Sequence, residues 1–530
     1  MMRTRSLLLI LVLYMATAGC DMKANAGDSP GKPAPKDSFK PVDAETAVNA
    51  SNKFGVNLYR KAAQDSAGGN LFISPYSISV AMAMAAEGAR DQTLLEMADV
   101  LGFAATTADA KATLEQLAKV HAANSALAKH FAVASGDPDP KTRTQIQTLR
   151  DKLDEANLRA NFQSKLGRYK EANEEVDRAR KIADELNSLL ATVDRYELRV
   201  ANALWVEKSF PLLDSYTQTV DRHYGTGLVR PLDIRGATES SRLQINGWVE
   251  DHTANRIKDL IARGMLTPDT SLVITNAVYF LGQWSEPFKR DRTREEDFTK
   301  ADGAKSRVQM MQDSFRKSLA YAAFDGKGAF FDTPLKVPVE ESRRPATYPG
   351  DDGFQVVSLP YKGGEMSMVL LLPSKADGLA ALEAKLSAEN LDKWIERLSP
   401  RTVDLKMPRF KLEGDYKLGQ MLQAMGIKRA FTNPGRPDGA QFFGMSKGPD
   451  PTKLLFIGEV VHKAWVDVNE EGTEAAAATA VMMLAGAAAP SVEMIPFNPK
   501  FHADRPFIFL IRDAKSGVIL FMGRVQSPSN

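Results

Sequence analysis

Residues 466–483 read VDVNEEGTEAAAATAVMM, and no other stretch of the chain constrains its fold as tightly. Bulky residues alternate with polar ones around Val466 and Val468, as on a half-buried strand. The chain then passes without a turn into Gly472 and a run of small side chains. Alanine favours helix, yet this run keeps the two-residue alternation and ends in β-branched Thr479 and Val481. Such a segment fits two states: an exposed loop, or a strand slotted between two existing strands. In the slotted state Thr473, Ala475, Ala477, Thr479 and Val481 face the core, and Glu474, Ala476 and Ala478 face solvent. Every inward residue is small or β-branched, so a sheet need open only a little to admit it. A low-complexity alanine linker is the other reading of the same composition.

With 530 residues the chain is either one large domain or two to three ordinary ones. An apolar content of 44% and a charged content of 25% are those of a soluble globular protein. A net charge of +2 without a Lys/Arg cluster argues against a nucleic-acid partner. The single cysteine, Cys20, follows Arg3, Arg5 and an apolar core over residues 7–15 that is too short to span a bilayer as a mature helix. Thr17-Ala18-Gly19-Cys20 resembles a bacterial lipobox, with Thr17 where an aliphatic residue is usual. Cleavage before Cys20 would leave it lipid-modified; an ordinary secretory signal with a small-residue cleavage site is the alternative. Both readings export the chain to the cell envelope or beyond, and a lone cysteine leaves the mature fold without a disulfide. No later stretch reaches the length of a membrane span.

Residues 1–19 are thus expected to be a lipoprotein-type signal peptide and 20–43 a lipidated cysteine with a disordered tether, its part 23–41 rich in Pro, Lys, Gly and Ser. At about 3 Å per residue that tether reaches up to ~60 Å from the membrane. One helix is expected around residues 44–63, and another after 70–77, where Ser74 and Pro75 suit a helix start. Residues 141–193 carry apolar positions at helical spacing among dense charges, as a helical pair broken at Gly167 or one long helix. Its mixed-sign charges form either a solvated face or a partner-binding one. Strands are expected at 198–206, 272–280, 354–359, 366–372, 403–408, 454–461, 507–511 and 518–525, with helices at 241–254 and 379–398. Strands and helices do not alternate regularly, which favours an α+β fold.

Gly444-Met445-Ser446-Lys447-Gly448 matches the pattern of a hydrolase nucleophile elbow, but Pro449-Asp450-Pro451 forbids the helix that this chemistry needs after its serine. It reads as a chance match in a loop. The six histidines are scattered without a metal-ligand spacing, so no metal site and no cofactor are expected. His462 lies inside an apolar strand and reads as a hydrogen-bonded core histidine; Trp284 reads as core packing. Met482 and Met483 are loop filler or oxidation-sensitive contacts.

Taken together, several segments resemble the serpin family: 70–79 (NLFISPYSIS), 201–210 (ANALWVEKSF), 246–259 (NGWVEDHTANRIKD), 276–284 (NAVYFLGQW), 461–479 (VHKAWVDVNEEGTEAAAAT), 504–507 (DRPF) and 520–525 (LFMGRV). They occur in the family order over residues 44–527. The resemblance implies a serpin domain over 44–530, with three β-sheets, about nine helices and an exposed reactive loop at one pole. It implies a monomer that is not an enzyme but a suicide-substrate inhibitor. A target serine protease attacks the loop and forms an acyl-enzyme, and the cleaved loop inserts into the central sheet before water releases it. Loop insertion of this kind is a known route of strand addition and strain release.

By motif, Glu470, Glu471, Gly472 and Thr473 begin the hinge, and Glu474, Ala475, Ala476, Ala477, Ala478 and Thr479 continue it. Ser74, Ser77, Asn276 and His462 match the polar cluster beneath the sheet that must open, and Trp284 the point where the loop enters. Counting from Glu470 puts the reactive bond at Gly486-Ala487, which suits an elastase-like protease; presentation of Met483 or Leu484 would favour a chymotrypsin-like one.

The chain departs from the family pattern in three places. The stretch from Gly486 to Pro506 is longer than expected, residues 105–195 exceed the usual connection after the third helix, and residues 320–350, with Pro334, Pro338, Pro345 and Pro349, look inserted. The two insertions are either surface additions or docking elements. Beside inhibition stand two other functions: a non-inhibitory serpin-fold binding or chaperone protein, and a lipid-anchored hydrolase resting on Ser446 alone.

Overall fold

A computed structural model of the chain describes residues 39–66, 68–105, 109–134, 196–253, 256–334, 336–338, 349–447, 455–473 and 494–528, with scattered positions between 145 and 185. Nine α-helices occur among the described residues: α1 (Glu45–Asp65), α2 (Pro75–Gly88), α3 (Asp91–Leu101), α4 (Ala110–Ala134), α5 (Asp214–Tyr224), α6 (Thr238–His252), α7 (Leu379–Lys385), α8 (Ala388–Glu396) and α9 (Gly419–Met425). The early strands are β1 (Leu71–Ile73), β2 (Tyr196–Glu207), β3 (Val229–Leu232), β4 (Leu272–Gln283), β5 (Arg294–Thr299), β6 (Lys305–Phe324), β7 (Phe330–Phe331), β8 (Lys336–Pro338) and β9 (Phe354–Pro360). The later ones are β10 (Met366–Pro373), β11 (Ser399–Pro408), β12 (Phe410–Lys417), β13 (Ile457–Asn469), β14 (Gly472–Thr473), β15 (Met494–Pro496), β16 (Lys500–His502), β17 (Phe507–Asp513) and β18 (Ile519–Val525).

The central sheet runs β12-β13-β4-β2-β3, with the two-residue β14 set between β13 and β4 at one end. The β12–β13 and β4–β2 pairs are antiparallel and β2–β3 is parallel, and β13 and β4 run parallel from the Ile457/Leu272 pair to the Trp465/Tyr279 pair. The second sheet has the order β1-β18-β17-β10-β9-β6-β11-β16, with β5 and β7 on β6. Its two halves are continuous through the 20-residue β6, whose C-terminal part pairs with β9 and whose residues 310–321 follow β11. Ser318, with φ at +56°, and the register shifts opposite it in β11 mark the bend between the halves. The resemblance implied three β-sheets; among the described residues the strands form two large sheets, of ten and six strands, and a separate two-stranded sheet of β8 and β15.

Burial explains the layering. Helix α2 is apolar nearly all round, with Ile78, Met82, Met84, Ala85 and Ala86 at 0% exposure, so it lies inside, against β2, β4 and β18. The central sheet is covered on both faces. Leu204, Ile274, Val278 and Phe280 join the main core, while Ala203, Trp205, Val273, Ala277 and Val461 pack under Ile245 and Val249 of α6.

Several expected elements differ in detail. The single helix expected over 379–398 is two, because Ser387 is extended and its hydroxyl accepts the Asn390 N–H at 3.1 Å, starting a new helix. Residues 320–324 run on as the end of β6, and residues 110–134 form α4, whose Leu117, Val120, Leu127 and Phe131 enter the core. The signal peptide, the tether with Cys20 and most of 135–195 lie outside the described residues. No described helix is long and apolar enough to cross a membrane.

Candidate functional site

Three strands of the central sheet place one polar residue each in the same row: Asn202 on β2, Asn276 on β4 and His462 on β13 are register partners. All three are almost fully buried, at 4% exposure or less. A buried polar group is tolerated only when paired, and each of these is. The Ser74 N–H at the start of α2 donates to His462 Nε2 at 3.1 Å. That leaves Nδ1 as the protonated nitrogen, donating to Asn276 Oδ1 at 2.5 Å. The Asn276 amide donates to Ser77 Oγ and to Asn202 Oδ1, and Asn202 returns a bond to the Ser77 carbonyl at 3.1 Å. Burial pushes the His462 imidazole down to about 3, so it is neutral at physiological pH. Tyr416 of β12 stacks beside it, with ring centroids 6.1 Å apart. Ser74 does not cap α2 with its side chain; that hydroxyl donates to the Leu520 carbonyl at 2.7 Å. The four expected cluster residues are therefore in one network, and Asn202 is a fifth member.

At the end of the same β13–β4 junction the chain reverses. The expected unbroken passage into Gly472 is not what forms: β13 stops at Asn469, Glu470 and Glu471 turn, and β14 returns antiparallel to both neighbours. Long-range contacts make the turn. Both glutamates are buried, at 2% and 4% exposure. Glu470 Oε1 accepts from Arg409 Nε at 2.8 Å and from the Thr293 hydroxyl at 2.5 Å, and the Arg290 guanidinium donates to Glu471. Burial opposes the Glu470 charge, but Arg409 and Thr293 outweigh it and hold the carboxyl below its ordinary value.

The backbone is pinned as well. The Trp284 and Phe288 N–H groups donate to the Glu471 and Glu470 carbonyls at 2.8 and 2.7 Å, and the Asn469 side chain accepts the Glu471 N–H at 3.0 Å. Trp284 donates its indole N–H to the Asn469 carbonyl at 3.0 Å and stacks on buried Tyr361, with centroids 4.6 Å apart.

Gly472 fits where no other residue would. Its φ is +151°, and a Cβ there would lie 2.0 Å from the Gly282 carbonyl oxygen. The wedge thus enters the sheet as bare backbone. Chemically the site holds a strand end between two parallel strands, with a polar row further along the same junction. Parallel ladders are slightly weaker per residue than antiparallel ones, so the wedge stands at a weak seam.

The remaining expected site residues, namely Cys20, Met483, Leu484, Gly486, Ala487 and the hinge over 474–479, lie outside the described residues. Ser446 is 2% exposed and its hydroxyl donates to the Pro211 carbonyl at 2.6 Å, with no helix following it among the described residues. Among the described residues no group of three or more His, Cys, Asp or Glu is placed to hold a metal. Asn202 was legible as the one amide in the apolar run of 200–206; Arg409, Thr293 and Arg290 carried no local signal, since each reaches Glu470 or Glu471 from a distant part of the chain.

Comparisons with known proteins agree on one family. The family described as "Serpin (serine protease inhibitor)" matches residues 49–528. The chain is similar to Serpin B4 of Homo sapiens, at 33% identity over 90% of this chain and 98% of that one. It is similar to a leukocyte elastase inhibitor of Xenopus tropicalis, at 30% identity over 91% of this chain and 100% of that one. Among solved structures, uncleaved ovalbumin superposes with a TM-score of 0.61 over 91% of this chain and 100% of that chain, at 24% identity.

Proposed function

The chain belongs to the serpin family, and from that premise we propose that it is a suicide-substrate inhibitor of serine proteases, acting through insertion of residues 472–484 between β13 and β4. The observation that carries this reading is the wedge: Gly472 and Thr473 already pair with both strands. Continuing that register down the junction would set Thr479 level with both Asn276 and His462 and bring Met483 to Leu272, the far end of β4. The inserted strand would replace one parallel ladder by two antiparallel ones. It would also part the Asn276–His462 hydrogen bond and offer the Thr479 hydroxyl in exchange, so the polar row keeps its pairing in both states.

In the reaction the target's serine oxygen adds to the carbonyl carbon of the reactive bond. The carbon–nitrogen bond breaks, the nitrogen takes a proton and leaves as a new amino terminus, and the preceding residue stays behind as an ester on the protease. Insertion then draws the ester-linked protease along the sheet faster than water releases it. A bond at Gly486-Ala487 leaves enough chain to fill the junction and still reach a protease, which supports that assignment over Met483 or Leu484. Its small residues fit an elastase-like target, and a similar protein bears the name leukocyte elastase inhibitor. The export signal and Cys20 complete the proposal: a lipid-anchored, monomeric inhibitor at the cell envelope.

Incubation with elastase-like and chymotrypsin-like proteases, followed by denaturing gels and sequencing of the released fragment, tests the reading. A covalent complex supports it. Cleavage without a complex favours the non-inhibitory alternative. Cys20→Ser should move the protein from the membrane fraction to the soluble one; unchanged fractionation would remove the anchor.

A further inference from the structure

Two departures from the family pattern meet in space. The segment that looked inserted contributes β8, and the extra chain after the reactive loop contributes β15; the two pair antiparallel, Ile495 opposite Val337, Met494 opposite Pro338 and Pro496 opposite Lys336. Proline has no N–H to donate, so Val337 and Ile495 are the one opposed pair in which both members own a donor. The prolines also stop the ladder at each end, which keeps this small sheet from growing.

Both arms are tied to the same strand of the body. Before β8, Arg401 of β11 donates to the carbonyl of buried Thr333 at 2.5 Å. After β15, the Asp404 N–H of β11 donates to the Pro499 carbonyl at 3.0 Å, just before β16 pairs with β11. The clamp therefore has a fixed base.

We infer that β8 is a positioning element for the reactive loop: by pairing with β15 it holds the stem on the loop's C-terminal side and fixes which bond the loop presents. The inference rests on the inhibitor reading above. Without β15 held, the span from Thr473 to the next residue with contacts of its own, Phe497, would gain the three residues 494–496. The entropy of closing the longer span differs by only about 1.2-fold in effective concentration. Geometry matters more, because three further residues add up to roughly 10 Å of reach. That is enough for the loop to slide several residues through a protease's cleft. The clamp thus turns a long, low-complexity loop into one with a defined register.

The test uses the full chain, Val337→Pro and a second variant in which a short Gly/Ser turn replaces residues 334–348. Hydrogen exchange at the Ile495 amide, the β15 donor that faces Val337, reads the pairing, and mass analysis of the released C-terminal fragment after limited elastase treatment reads the bond cut. The wild type should give one dominant new amino terminus. Both variants should exchange about tenfold faster at the Ile495 amide, as for the loss of one or two backbone hydrogen bonds, and give two or more new termini. Unchanged exchange in both variants overturns the clamp, as does faster exchange with the same single cut, or a wild type already cut at several bonds. Absence of a covalent complex from all three proteins would count against the inhibitor reading and leave these two readouts intact.

Discussion

Gly472 is the residue on which the wedge depends, and its replacement isolates a single physical effect. A methyl group there meets the Gly282 carbonyl oxygen and must adopt a φ that side chains avoid. Gly472→Ala should destabilise the wedge by about 1–3 kcal/mol, seen as faster hydrogen exchange at residues 281–283 and a smaller fraction of protease trapped. Glu470 offers a second test, through pH. Its native carboxyl titrates below the ordinary glutamate value, so the stabilisation it supplies is complete above about pH 4.3 and is lost as pH falls through the lower native value. The turn should therefore loosen only in acid. Emission from Trp284, whose indole N–H bonds the Asn469 carbonyl, should report that transition. Glu470→Gln should abolish its pH dependence; an unchanged titration would show that another group governs the turn.

At the scale of elements, the seam between β13 and β4 is held by its short parallel ladder, the His462–Asn276 bond and the cover of α6 over Ala277 and Val461. The histidine makes the seam sensitive to pH in a calculable direction. In the native state it stays neutral down to about 3, whereas in the unfolded chain it takes a proton below about 6.5, so the unfolded state binds more protons in that window. Stability should fall on acidification with a contribution of about 1.4 kcal/mol per pH unit from this residue. His462→Gln supplies one acceptor and one donor without titrating, and should flatten the slope of unfolding free energy between pH 6 and 4 by that amount, measured by denaturant melts. An identical slope would mean that His462 is accessible to protons.

The elements also divide into those legible in the sequence and those that were not. Strands with strong apolar runs, such as β4, β10 and β17, were read within a few residues. The 20-residue β6 was not, because Lys305, Arg307, Gln309, Gln312 and Arg316 break its apolar pattern where it faces solvent or charged neighbours. β12 was missed although Phe410, Leu412, Gly414 and Tyr416 alternate with polar residues. In the site, Ser74, Ser77, Asn276 and His462 were legible because motifs carry them. The turn at Glu470 was not, because Arg409, Thr293 and Arg290 reach it across the fold, and no local pattern encodes such contacts.

On the proposed reading the whole molecule is a metastable arrangement: a parallel seam, a strand already started within it, and a sequence of small residues after it. On that reading, insertion would exchange the eight-pair parallel ladder for an antiparallel ladder on each side. The claim that insertion itself is the inhibitory step is tested most directly by comparing the wild type with Thr473→Arg on denaturing gels after reaction with an elastase-like protease. Residue 473 already stands between β13 and β4, so the arginine would set a charge between two strands, opposing both the wedge and its extension while leaving the reactive bond, many residues away, unaltered. The account predicts a detergent-stable complex for the wild type and only cleaved, uncomplexed protein for the variant. A variant that traps the protease as fully as the wild type would contradict it.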